Sequence, residues 1–386
     1  MKSPFSTVLD QLEPSGIRRF FELIIDTKDI VSLGIGEPDF VTPSSIINRA
    51  VSTLKEGKTS YTSNTGLIEL REEISKYIVK KLDCYYDPKT EVFITLGVSE
   101  GADLTLRAIL NAGDEVIFPE PGYVCYPPLI ALAGGKVVPI DTTTSNFIPK
   151  PEDIKKAITK KTKAIVLCSP NNPTGTIIPT PILEEIANLA KKHDFWVITD
   201  EIYAEIIFDN IKYKTIASFE GMKERTLVLS GFSKAFAMTG WRLGYICGPK
   251  SFVERALKIH QYSALCAPIM SQYAAIEALK NGLPEVELMR QAYERRRNLI
   301  FDGLTQIGLD VVKPEGSFYC FPSIKKTGLN SEEFSIRLLQ EEKCAVIPGN
   351  GFGKTGEGFV RCCFATSEEN ISKALERIEK FCKKLI

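Results

Sequence analysis

The sequence has 386 residues, 44% apolar and 25% charged, and its 48 Lys plus Arg balance 48 Asp plus Glu to a formal net charge of zero. That suits a globular chain of two or three units with a large core; a neutral chain without basic runs or a long apolar stretch argues against nucleic-acid and membrane partners. Ten cysteines without a C-x-x-C and only two histidines, His193 and His260, exclude a disulfide scaffold and a Cys/His zinc site, so reduced thiols and a cytoplasmic location are expected.

In chain order, residues 1–44 are punctuated by Pro4, Pro14, Gly16, Gly34, Gly36 and Pro38. They read as an arm and loop that contribute to a small domain, with no apolar leader segment. Strands are predicted over 92–96, 115–118, 136–140, 163–167, 195–199, 226–229 and 244–247, with helices over 99–110 and about 181–193. Short β-branched runs separated by helices predict an α/β fold: a mostly parallel seven-stranded sheet sandwiched by helices, with ligands at the strand ends. After Gly282-Leu283-Pro284 the texture changes. A long charged helix over 284–307, strand signals at 318–321 and 359–364, and an amphipathic helix from about 367 to the end predict a smaller α+β domain. The expected boundaries are therefore 45–282 for a large domain and 283–386 for a small one.

Two glycine-rich stretches do not carry function. Gly349-Asn350-Gly351-Phe352-Gly353-Lys354-Thr355 ends like a phosphate loop, but Pro348 stands where the first glycine belongs and no core strand leads in. Gly34-Ile35-Gly36 lacks a third glycine and a following helix.

The informative cluster spans residues 168–242. Ser169-Pro170-Asn171-Asn172-Pro173-Thr174-Gly175 ends a strand, and its prolines keep the preceding residues extended. Asn172 there is alone no more than a turn residue. Asp200 follows an apolar run, so it is either a helix N-cap or a buried counter-charge for a bound cation. Lys234, in Ser230-Gly231-Phe232-Ser233-Lys234, would alone read as a solvated amine. Together, an amide, a carboxylate and an amine at three strand ends meet the needs of pyridoxal 5'-phosphate: an imine-forming amine, a partner for the pyridinium nitrogen and a donor to the ring oxygen.

Three stretches make the pattern specific: Ser-Pro-Asn-Asn-Pro-Thr-Gly, Asp200-Glu201-Ile202-Tyr203, and the run from Ser233-Lys234 through Gly240-Trp241-Arg242 to Tyr245. The chain resembles the class I, fold type I pyridoxal-phosphate aminotransferases, most closely the aspartate/aromatic subgroup, from Gly34 to Arg361. The resemblance implies Lys234 as the Schiff-base lysine, Asp200 as the partner of the ring nitrogen, and Asn172 and Tyr203 as partners of the ring oxygen. It implies Val98, Ser99 and Arg242 around the phosphate, at a helix start suited to an anion, and Tyr123 stacked on the ring. Tyr61 would reach the phosphate of a neighbouring subunit, making the protein a homodimer with shared sites. Arg361 would clamp the substrate α-carboxylate, with Gly36 and Asn172 beside it. Many relatives place a serine where Gly231 stands, so either Ser230 or Ser233 is left to contact phosphate.

The implied reaction is transfer of an α-amino group from an L-amino acid to a 2-oxo acid such as 2-oxoglutarate, in two half-reactions. The expected donors are aspartate and aromatic amino acids over a broad range. Ser99 stands where some aspartate enzymes carry a lysine for the distal carboxylate; Arg18 and Arg19 could supply that charge, or Ile17 and Phe20 an apolar wall. The rival readings are an N-acetyl-diaminopimelate aminotransferase and a pyridoxal-phosphate C–S lyase on the same fold.

Overall fold

A computed structural model describes residues 5–12 and 29–385. Arg18, Arg19, Ile17 and Phe20 lie outside the described residues. In chain order the main elements are β1 (Val31–Ser32), α1 (Ser44–Lys55), α2 (Ile68–Leu82), β2 (Val92–Thr95), α3 (Gly97–Ile109), β3 (Glu115–Glu120), α4 (Tyr126–Leu132), β4 (Lys136–Asp141), α5 (Pro151–Ala157) and β5 (Thr162–Cys168). There follow α6 (Thr180–His193), β6 (Trp196–Asp200), β7 (Thr226–Gly231), β8 (Gly244–Cys247), α7 (Lys250–Ser263), α8 (Ile269–Asn281) and α9 (Leu283–Ile307). The last part holds β9 (Tyr319–Cys320), α10 (Ser331–Glu342), β10 (Cys344–Ala345), β11 (Ile347–Pro348), β12 (Val360–Cys363) and α11 (Glu368–Cys382).

Seven strands form one sheet in the order β2-β8-β7-β6-β5-β3-β4. Only β8 runs against its neighbours β2 and β7; the remaining pairs are parallel. The buried runs Val92–Ile94, Ala164–Leu167 and Leu227–Leu229 are apolar on both faces because helices cover both. Register aligns Cys168 with Asp200 and Asp200 with Leu229, so the carboxyl ends of β5, β6 and β7 finish on one edge, where ligands bind in such sheets. All seven strands fall where the sequence places them. Among the described residues no helix is long and apolar enough to cross a membrane.

The later part is built on two small sheets. β12 pairs antiparallel with β11 and β9, and β10 pairs parallel with β1. The strand signals at 318–321 and 359–364 contract to β9 and β12, because a two-stranded contact needs only a few ladder bonds. The glycine stretch after Pro348 forms two short 3-10 turns, Gly349–Phe352 and Lys354–Gly356, not a strand-to-helix phosphate cradle. α11 begins where Ser367 accepts a hydrogen bond from the Asn370 amide, with Glu368 and Glu369 in the first turn favoured by the helix dipole. Its buried stripe of Ile371, Ala374, Ile378 and Phe381 meets α10 through an edge-on contact of Phe381 with Phe334.

The segment after β1 links both parts. Leu33 O accepts from the Cys363 amide at 2.7 Å. Further on, Thr42 donates to Ala237 O and accepts from Trp241 Nε1. Residues 34–37 are thereby strung across the edge of the large sheet.

Candidate active site

A cavity of about 350 Å³ opens at that edge, within the range of sites for small molecules and cofactors. Its wall brings together Gly36, Val98, Ser99, Tyr123, Asn172, Asp200, Tyr203, Ser233, Lys234, Arg242 and Arg361. Of the residues that the resemblance implies around cofactor and substrate, Tyr61 stands apart, 82% exposed. Of the two serines, Ser233 lines the cavity, whereas Ser230 donates to Glu201 O at 3.3 Å. At Gly231 a Cβ would come within 2.8 Å of Gly244 Cα, so a serine there needs the backbone to give.

Asp200 ends β6 with its side chain 2% exposed. The Tyr126 hydroxyl donates to Oδ2 at 2.8 Å and the Ile202 amide to Oδ1 at 3.2 Å. Burial pushes its pKa up to about 6, against the pull of those two bonds and of the Lys234 charge. Such a carboxyl ionises readily once a cation settles beside it. Its neighbour Glu201 faces other partners, Thr199, Thr215 and Tyr213; burial raises it to about 7.

Lys234 lies in the turn after β7. Its Nζ donates to Gly36 O at 2.7 Å. Burial, together with the positive Arg361 and Arg242, lowers its pKa to about 8, opposed by Cys363 and Glu37. About a tenth is then the neutral amine at pH 7, the state needed for a nucleophile or base.

Arg361 comes from β12 and is 4% exposed. Nη1 donates to Asn172 Oδ1 at 3.2 Å and Nη2 to Gly34 O at 2.7 Å. Its Nε is buried without a partner, and as a lining residue of the cavity its guanidinium suits an anionic ligand. Arg242 sits in the left-handed region (φ +51°) beside Gly97, where a Cβ would lie 2.9 Å from Nη2. The first turn of α3, with Val98 and Ser99, offers free backbone N–H groups at the same end. The wall thus has a cradle for one phosphate, a buried carboxylate and an amine for a cationic aromatic aldehyde, and a separate fork for a carboxylate. The donor set fits pyridoxal phosphate.

Several wall residues escaped the sequence reading: Glu37, Val124, Cys125, Cys168, Ile202, Thr239 and Tyr319, together with Tyr126 behind Asp200. Tyr319 is brought to the wall by strand pairing that the sequence does not display. In the β9–β12 register it opposes Cys363, and Cys363 shares a face with Arg361 two residues away.

The family model described as aminotransferase class I and II matches residues 28–378. The putative aminotransferase YugH of Bacillus subtilis strain 168 is 50% identical over 385 residues, covering all of both chains. The aspartate aminotransferase of Pyrococcus abyssi is 46% identical over 375 residues, 96% of each chain. The crystal structure of an aromatic aminotransferase from Pyrococcus horikoshii superposes with a TM-score of 0.91 at 44% identity, covering 96% of this chain and 100% of that one.

Proposed function

The chain belongs to the class I and II aminotransferases, and from that premise we propose that it moves the α-amino group of aspartate and of aromatic L-amino acids to a 2-oxo acid such as 2-oxoglutarate. The observation that carries this reading is the opening of Lys234, Asp200 and Arg361, from three distant segments, into one cavity. Pyridoxal 5'-phosphate, when bound, supplies an electron-accepting ring that stabilises negative charge at the substrate Cα.

The protein's share is positioning and proton handling. Arg361 grips the α-carboxylate as a bidentate fork, which a lysine would not orient. That grip aims the Cα–H bond at Lys234, whose Nζ takes the proton as general base. Asp200 keeps a proton on the ring nitrogen, and the bonds from Tyr126 and Ile202 hold its carboxylate in place. Asn172, its oxygen committed to Arg361, has its amide N–H groups left to donate to the ring oxygen with Tyr203. Ser99, Ser233, Arg242 and the N-terminus of α3 hold the phosphate, and Tyr123 stacks on the ring.

Val98, Val124 and Tyr123 give the cavity wall apolar surface that suits aromatic donors, and the Glu37 carboxylate is also among the lining groups. The enzyme acts as a homodimer in which Tyr61 reaches the neighbouring subunit's phosphate. Ten cysteines without a disulfide fit a reducing compartment, and we place it in the cytoplasm. The domain division at residues 45 and 283 belongs to the same reading.

The test is a panel of L-amino donors with 2-oxoglutarate and the cofactor-loaded protein, following glutamate. Glutamate from aspartate, phenylalanine and tyrosine supports the reading. Activity with aspartate alone removes the aromatic part, and pyruvate and ammonia released without any oxo acid would make the protein a lyase.

A further inference from the structure

Two tyrosines share one hydrogen bond in the cavity wall. Tyr203 Oη and Tyr319 Oη lie 3.0 Å apart, and both side chains are buried. Each phenol has one proton to donate. Tyr319 has a second acceptor in reach, Gly36 O at 3.4 Å, but that oxygen already accepts from Lys234 Nζ at 2.7 Å. The Tyr319 ring meanwhile faces the Arg361 guanidinium, its centroid 4.5 Å from Cζ. A residue outside the predicted set therefore touches Tyr203 and Arg361 and shares the carbonyl that holds Lys234.

We propose that Tyr319 is a positioning residue with two separable parts: its hydroxyl donates to Tyr203 and so commits Tyr203's own proton to the cofactor's ring oxygen, while its ring steadies the Arg361 fork for the substrate carboxylate. The proposal rests on the pyridoxal-phosphate reading above. Proton counting sets the direction: a Tyr203 that gives its proton to the ring oxygen can only accept from Tyr319. Accepting that bond makes Tyr203 a better donor and leaves Gly36 O to Lys234. On the other side, Asn172 and Gly34 fix two nitrogens of Arg361 edge-on, and Tyr319 and Phe352 cover its faces. The other titratable groups near the phenol pair are Tyr123, Cys168, Cys363, Arg361 and Tyr293, with Lys234 at the shared Gly36 carbonyl. Burial holds Tyr123 and both thiols in their protonated forms at neutral pH.

The experiment compares holoenzymes carrying Tyr319→Phe, Tyr319→Leu, Tyr203→Phe and the double change Tyr203→Phe/Tyr319→Phe. A donor aimed at the ring oxygen favours the cofactor form with most negative charge there, which is the deprotonated one. Tyr319→Phe therefore raises the pH midpoint of the visible absorbance by roughly half a unit to one unit. The shift is smaller than that of Tyr203→Phe, and the second change adds nothing in the double variant. KM for amino donors stays within about twofold in Tyr319→Phe, which keeps the ring, and rises about fivefold or more in Tyr319→Leu, which removes it. A wild-type midpoint in Tyr319→Phe, an additive shift in the double variant, or equal KM values in the Phe and Leu variants overturns the proposal. Should Tyr319→Leu fail to fold, Tyr319→Met takes its place in the KM comparison, while the absorbance titrations decide the hydroxyl's part. A wild-type protein that gains no visible absorbance on loading with pyridoxal phosphate would refute the cofactor reading instead.

Discussion

Lys234 must be buried to act and pays in stability for being so. Its folded pKa of about 8 lies below the ordinary 10.5, so between those values the unfolded chain binds more protons than the folded one. The destabilisation is therefore present in full below about pH 8, shrinks as pH rises and is gone above about 10.5. Lys234→Met keeps the length of the side chain without the charge. It should abolish transamination and yet stabilise the cofactor-free protein at pH 7 by roughly 1–3 kcal/mol, with the gain fading toward pH 10.5. Urea unfolding at both pH values measures this; a variant less stable at both would show that the Lys234–Gly36 bond outweighs the burial. Asp200 was partly legible in the sequence, because a charge at the end of an apolar run demands a partner, whereas Lys234 alone reads as a solvated amine and only the resemblance gives it a role. Tyr126 and Tyr319 were not, since an aromatic among apolar residues looks like core until the partner of its hydroxyl is known.

At the scale of elements, the phosphate end of the site depends on α3 approaching β8 closely. A Cβ on Gly244 would meet Gly97 C at 2.7 Å, and one on Gly97, itself at φ +77°, would press on Arg242. Gly97→Ala should destabilise the protein by about 1–2 kcal/mol through the left-handed backbone. It should also displace the Arg242 guanidinium, so that pyridoxal phosphate is retained roughly tenfold less tightly. Thermal unfolding and dialysis of the holoenzyme separate the two effects, and unchanged retention would remove Arg242 from the cradle. The strands of the large sheet were readable because both faces are buried, which leaves unbroken apolar runs. The helix starting at Gly97 was placed at Ser99, since a glycine with positive φ carries no helix signal. Helices α1, α2, α4, α5, α7, α8 and α10 passed unremarked, and so did β1, β10 and β11, too short for any alternation to show.

At the scale of the whole molecule, the site is assembled from both ends of the chain. Gly34 and Gly36 arrive through a segment anchored on β10 and β12, and Arg361 arrives on β12 itself. A sequence read in order gives the early glycines and the late arginine no reason to meet; only the resemblance joined them. Tyr61 extends the same logic beyond one chain. It is exposed and outside its own cavity, which is where a residue serving a neighbour would stand in the proposed homodimer. Each site would then need Lys234 from one subunit and Tyr61 from the other. Homodimers of Lys234→Ala are inactive under this arrangement, and those of Tyr61→Ala hold the cofactor poorly. A hybrid of the two has one site with both lesions and one site with none. Unfolding and refolding an equal mixture makes about half of the dimers hybrid, so activity should recover to about a quarter of the wild-type value. If each site is complete within one chain, the Lys234→Ala subunits add nothing, and the mixture shows only half the activity of the Tyr61→Ala protein.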